Sequence, residues 1–306
     1  MDAALLAGAF AVGGVVGLTG MGGGALMTPM LVLFFGVSPL TAVSSDLVAS
    51  AVMKPVGSAV HLRRGTVNLG VVKWLCLGSI PAAFVGVLLL RLAGNEEQVQ
   101  HTVKIALGVA ILLTASLLIV RAYLRLMSRT HPRGQRPGPS ARIRPLPTVA
   151  LGALGGLVVG MTSVGSGSLI IIGLMFLYPA LKAKELVGTD LLQAVPLVAA
   201  AALSHILFGD FDFAVSAPLI LGSVPGVYLG ARLSTALPGG IVRRALALVL
   251  AASGLKLLEV PNLAIALVLV ALVVLGSLAW MQIRRRHGLP ALASVENRHR
   301  RASAAR

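Results

Sequence analysis

Long apolar stretches dominate this chain and leave it few folds to choose from. They fall at about 3–35, 39–62, 70–91, 99–125, 148–178, 183–208, 213–234, 240–258 and 262–284. Several reach the roughly 20 residues that one helical crossing of a bilayer requires. The chain therefore reads as an all-α polytopic membrane protein, embedded in lipid. The first stretch lacks a basic start and is too long for the apolar core of a cleavable signal peptide, so it counts as structure.

Of the 306 residues, 57% are hydrophobic and 12% charged, so the charges present are selective in their placement. The net charge of +16 could suggest nucleic acid. The basic residues lie instead in loops and tails beside apolar runs, as the positive-inside rule expects, and no nucleic-acid partner is expected. Cys76 is the one cysteine; it has no disulfide mate and no metal-ligand companions, and reads as core packing. Neither a cofactor nor a metal is expected.

The two halves repeat. "VGLTGMGGGAL" (Val16–Leu26) matches "VGMTSVGSGSL" (Val159–Leu169), and "VSSDL" (Val43–Leu47) matches "VGTDL" (Val187–Leu191). His61 matches His205, Gly65 matches Gly209, "GSIP" (Gly78–Pro81) matches "GSVP" (Gly222–Pro225), and Gly86 matches Gly230. From Val43 onward the offset holds at 144 residues, which chance does not sustain. Duplicated units of this kind typically place a substrate site at the repeat interface.

Counting spans orients the halves. If 3–35 and 148–178 each crossed once, the basic linker and the basic tail would face opposite sides, against the positive-inside rule. If each glycine motif is the turn of a re-entrant hairpin, about seven full transmembrane helices remain, and the main basic loops become cytoplasmic. The loop at His61–Gly65 then lies inside and its mate at His205–Gly209 outside, so the fold is two inverted repeats with two re-entrant hairpins at the glycine motifs. The expected divisions are 1–125 (first repeat, a hairpin and three spans), 126–147 (basic cytoplasmic linker) and 148–258 (second repeat, built alike). They continue with 259–284 (an additional span) and 285–306 (a basic tail, placing the C-terminus in the cytoplasm).

A hairpin that turns at membrane depth frees backbone groups, which is tolerable only beside protein, water or ligand. The second arms start near Gly24 and Gly167, and helix starts favour anions. Thr19, Gly20, Gly22, Gly23 and Gly24 in the first motif are thus candidate binding residues, with Thr162, Ser163, Gly165, Ser166 and Gly167 in the second. Glycine also serves close helix packing, and that plainer use competes with the binding one. A dinucleotide fingerprint fails for want of a preceding strand and a soluble βαβ unit.

Ionisable residues within spans are functional candidates. Asp46, Lys54 and His61 fall at about 0°, 80° and 60° around one helix, sharing a face. Asp190 and His205 repeat this spacing, with Val198 in place of the lysine. Lys54 could attract an anion or pair with Asp190. The aspartates could be caps or structural hydrogen-bond partners, and the histidines interfacial residues. Alternatively, Asp46, Asp190, His61 and His205 form coupling or gating groups that relay protons.

"GLTGMGGGALMTPML", "SSDL", "VGTDL", "GSIP" and "GSVPG" resemble the sulfite exporter TauE/SafE family of membrane permeases, from about residue 8 to 258. The resemblance implies a carrier of small sulfur-containing anions, sulfite or sulfonates, in the bacterial cell (inner) membrane, often working in export. Departures are Ser44 where glycine is more usual, Ile172 opposite Pro29, and Ser163 and Ser166 opposite Gly20 and Gly23. The expected function is a secondary transporter of a small oxyanion by alternating access, and not an enzyme. The alternatives are a passive anion channel, an uptake carrier for another oxyanion and, ranked last, a non-transporting assembly factor. Besides the anion and lipid, a homo-oligomeric partner stays open.

Overall fold

The computed structural model describes residues 3–19, 23–92, 94–130, 143–181, 183–208, 211–233 and 239–286. Every regular element among them is a helix. In chain order these are α1 (Ala3–Thr19), α2 (Gly24–Phe34), α3 (Pro39–Arg63), α4 (Leu69–Arg91), α5 (Glu96–Thr130) and α6 (Pro145–Thr162). They continue with α7 (Leu169–Leu177), α8 (Ala183–Phe208), α9 (Phe213–Leu233), α10 (Gly239–Leu257) and α11 (Asn262–Arg286). Five helices, α4, α5, α6, α8 and α9, are long and apolar enough by themselves to cross a membrane, and α1 and α2 are shorter apolar helices. At both ends of the expected linker the helices continue: α5 runs to Thr130 and α6 starts at Pro145.

Both glycine motifs interrupt helix. In the second, Ser163 caps α6 in the left-handed region (φ 58°), and its N–H still reaches Val159 O at 2.7 Å. Gly165 (φ 120°) and Gly167 (φ 102°) then take conformations that only glycine adopts without strain, and α7 begins at Leu169. In the first, α1 ends at Thr19 and α2 restarts at Gly24, where the Gly23 carbonyl accepts from Leu26 N (3.0 Å) and Met27 N (2.9 Å). The arms are unequal: 17 and 18 residues before the breaks, 11 and 9 after them.

The long arms pack crosswise between the halves. α1 lies along α9 and α6 along α4. A Cβ on Gly13 would strike the Ser223 backbone, and one on Gly156 the Ser79 backbone. Gly17 meets Val227 and Gly160 meets Ala83 in the same way. Partners related by 143 or 144 residues thus make corresponding contacts. Residue numbers rise together along each pair, so both pairs run parallel. Contact this close is the usual work of small residues in membrane helices, and here it interlocks the halves.

α3 and α8 cross between these pairs in antiparallel fashion. Ser44, near the start of α3, meets His205 near the end of α8, while the backbone N–H of Asn68, just past α3, donates to Thr189 Oγ1 near the start of α8. Leu40, Val43, Leu47, Leu197, Val198 and Ala201 fill the core around them. α11 packs against α10 and shows Leu263, Leu267, Val270 and Leu275 outward, a face suited to lipid.

Candidate functional site

The two helix breaks meet. A Cβ on Gly24, the first residue of α2, would collide with the Ser163 carbonyl that closes α6. Beside this contact lies a small cavity lined by Ala25, Thr114, Ser163, Gly165, Ser166, Gly167 and Ser168. It offers about 10 Å³ to the centre of a water molecule, room for about one. Four hydroxyls and a glycine-rich backbone make its lining polar, an arrangement able to donate hydrogen bonds from several directions.

Charged groups stand directly behind the hydroxyls. Asp46 is fully buried, and its Oδ2 accepts from Ser163 Oγ (2.5 Å) and Thr28 Oγ1 (3.1 Å). The other oxygen, Oδ1, accepts no hydrogen bond from the described residues and lies toward Gly23, 3.7 Å from where a Cβ would stand there. Lys54 Nζ donates to Ser166 Oγ at 2.7 Å, and its charge acts on both Asp190 and Asp46. On the far side of the cavity Thr114 of α5 meets Ser168 at 3.2 Å between hydroxyl oxygens.

All but two of the expected residues have a definite place. Ser163, Gly165, Ser166 and Gly167 line the cavity, Gly24 abuts it, and Gly23, Asp46 and Lys54 stand against it. Gly20 and Gly22 lie outside the described residues. Thr19 and Thr162 turn back on their own helices, donating to Val15 O (2.9 Å) and Val158 O (2.6 Å). In addition, Thr162 Oγ1 receives Val164 N (3.2 Å), so it caps the break. Asp190 is buried seven residues into α8, as Asp46 is in α3.

The histidines part company. His205 is wholly buried; its Nε2 faces the Gly160 carbonyl at 2.7 Å, which can only accept, so Nε2 carries a proton. Its Nδ1 lies 2.8 Å from Ser44 Oγ. His61 is partly exposed at the other end of α3, with Nδ1 at 2.9 Å from Thr66 Oγ1. Neither borders the cavity. Thr28 and Thr114 were not expected from the sequence: single hydroxyls in apolar helices carry no signal until their partners are known.

Residues 5–257 match the model of the family described as "Sulfite exporter TauE/SafE". The chain is 41% identical over 249 residues to the probable membrane transporter protein YjnA of Bacillus subtilis (strain 168), covering 81% of this chain and 96% of that protein. It is 26% identical over 251 residues to the probable membrane transporter protein YdhB of the same organism, covering 81% and 97%. No solved structure matches it.

Proposed function

The chain belongs to the sulfite exporter TauE/SafE family of multi-pass membrane transporters, and on that footing we propose that it is a secondary transporter for a small sulfur oxyanion, sulfite or an organosulfonate, in the bacterial cell membrane. One observation carries this reading: the two helix breaks meet at Gly24 and Ser163 beside a cavity lined by hydroxyls and glycine backbone. Two broken helices aimed at one point supply converging N–H and O–H donors, as an oxyanion requires.

The antiparallel crossing of α3 and α8 supports inverted halves, because each begins at the same offset within its own repeat. Under this reading α3, α4, α5, α8, α9, α10 and α11 are the full crossings, and α1–α2 and α6–α7 are hairpins entered from opposite faces. Arms of 17 and 18 residues, about 1.5 Å per residue, exceed half of a roughly 30 Å core, so both run obliquely to meet. The cavity has room for about one water, so an oxyanion enters only when the breaks separate. Opening toward one face and then the other is alternating access.

Purified protein in liposomes tests the reading by counterflow of labelled sulfite, sulfate, sulfoacetate and methanesulfonate. Uptake of one of them above that of protein-free liposomes, saturable and stimulated by the same anion inside, is the expected result. No uptake of any would sink it.

A further inference from the structure

We propose that the anion is bound together with one proton, taken by Asp46, and that the anion and the Asp46 carboxylate compete for the Ser163 hydroxyl. This rests on the transporter reading above and names its coupling ion and the group that carries it.

Charge balance is the first argument. Lys54 is one cation beside two buried carboxylates, Asp46 and Asp190. With all three ionised the cluster is negative, and in a medium of low effective dielectric it repels an anion arriving in the adjoining cavity. One added proton removes that excess. A divalent oxyanion accompanied by one proton still carries a negative charge, which an inside-negative membrane potential drives outward.

Hydrogen-bond geometry is the second argument, and it is independent of charge. Ser163 faces the cavity, yet its one O–H is spent on Asp46 Oδ2 at 2.5 Å. Asp46 Oδ1 is buried and has no donor among the described residues, so it has a lone pair where a proton can sit. A neutral carboxyl is a weaker acceptor than a carboxylate, so protonation at Oδ1 loosens the hold of Oδ2 on Ser163. The hydroxyl is then free to turn and donate to the anion. Ser166 needs no such release. It accepts from Lys54, which leaves its own O–H for the cavity. The proton forms an O–H bond on Asp46 and is given up to water when the site opens; no electron moves.

The surroundings leave Asp46 as the group so placed. Lys54 on its own helix is the charge that acts on it, Asp190 on α8 acts in turn on Lys54, and His205 of α8 meets α3 at Ser44. Neither α2 nor α7 contains an ionisable side chain. On α9 Tyr228 and Arg232 are exposed and stack on each other, 4.5 Å from guanidinium carbon to ring centre. On α5 the ionisable groups before Arg121 occupy the first three turns, up to Lys104.

The test uses the same four labelled anions, in liposomes carrying an internal pH dye, first without a pH difference and then with one. For an anion that moves, wild-type protein should acidify or alkalinise the lumen in step with it. Its KM should rise with pH by up to about tenfold per unit, the limit for one linked proton. Asp46→Asn, whatever its rate, should move no protons with the anion and show a KM that ignores pH. Ser163→Ala keeps the carboxylate and decides the matter if Asp46→Asn fails to fold: its KM should be high and rise less steeply with pH than that of the wild type, and a wild-type slope overturns the competition for Ser163. Anion flux without proton movement in the wild type overturns the inference while leaving the transporter reading intact. So does proton movement that survives in Asp46→Asn and is lost in Asp190→Asn. If none of the four anions moves, the transporter reading itself fails and this inference falls with it.

Discussion

Ser44 of α3 and His205 of α8 share a hydrogen bond of 2.8 Å across 161 residues of sequence. The repeat gives no counterpart. The position matching Ser44 is Gly188, where a Cβ would strike the Thr66 carbonyl. A serine cannot stand at 188, and a glycine at 44 would leave the His205 ring without this partner. The unusual serine in "SSDL" is thus tied to the burial of one histidine and not the other. Ser44→Ala should cost about 1–3 kcal/mol, the usual loss when a buried polar group is stranded. Melting in detergent checks it, with Ser116→Ala as the control, because Ser116 is exposed and donates to the Leu112 carbonyl of its own helix. Equal melting temperatures for the two variants would count against the assignment.

Gly156 should tolerate no side chain. Its missing Cβ lets the Ser79 backbone approach α6, and backbone cannot step aside as a flexible side chain can. Gly156→Leu should abolish the folded species in size-exclusion chromatography, and even Gly156→Ala should lower the melting point. Gly276 on α11 has nothing near it, so Gly276→Ala should be neutral or stabilising by about 0.4–1 kcal/mol.

Much of this arrangement is legible in the sequence, and the limits are physical. The break at the second motif follows from local composition, because Gly165 and Gly167 adopt positive φ. The division of labour inside the motifs does not. Gly17 and Gly160 serve helix packing while Gly24 serves the contact between breaks, and all three uses require the same absence of Cβ. His205 lies close to a helix end and resembles an interfacial residue; only the arrival of α6 and α3 buries it. Lys54 and Ser166 stand 112 residues apart, so neither one's spacing announces the other. Face-sharing on α3 placed Asp46 and Lys54 together with His61, yet His61 lies beyond the cavity at the far end, since a shared face says nothing of height.

The lone lysine offers a check on the equivalence of the halves. Lys54→Val, which installs the residue found at the matching position 198, should remove anion flux because two buried carboxylates lose their cation. Adding Val198→Lys to that variant returns the charge from the opposite helix. Partial recovery of flux in the double variant, at least severalfold above the single one, is expected if α3 and α8 present equivalent faces to the site. A double variant as inactive as Lys54→Val would show that the cation must stand beside Ser166.

At the rim, Lys104 Nζ lies 2.6 Å from Glu259 Oε1 and holds that carboxyl below its ordinary value of 4.5. A depressed carboxylate stabilises the fold above its unfolded value, and the contribution is lost as pH falls through the lower folded one. Glu259 is exposed, so salt screens the pair. Wild type and Glu259→Gln should therefore melt alike in 1 M salt at neutral pH. Any advantage of the wild type should appear at low salt and fade as pH falls below 4.5 through the depressed folded value.

Inversion of the halves makes the sharpest prediction. If α1–α2 opens outward, Val37, just past α2, faces the outside, while Lys184 at the start of α8 faces the cytoplasm. Cys76 is half-buried and must first be replaced by alanine to give a silent background. In intact cells, Val37→Cys should react with a membrane-impermeant maleimide, and Lys184→Cys should react only after permeabilisation. The pair is informative because α2 and α7 end at equivalent places in the repeat: parallel halves would expose both sites on one face. Labelling of both cysteines from outside would overturn the inversion, and with it the picture of two breaks approaching one anion from opposite sides.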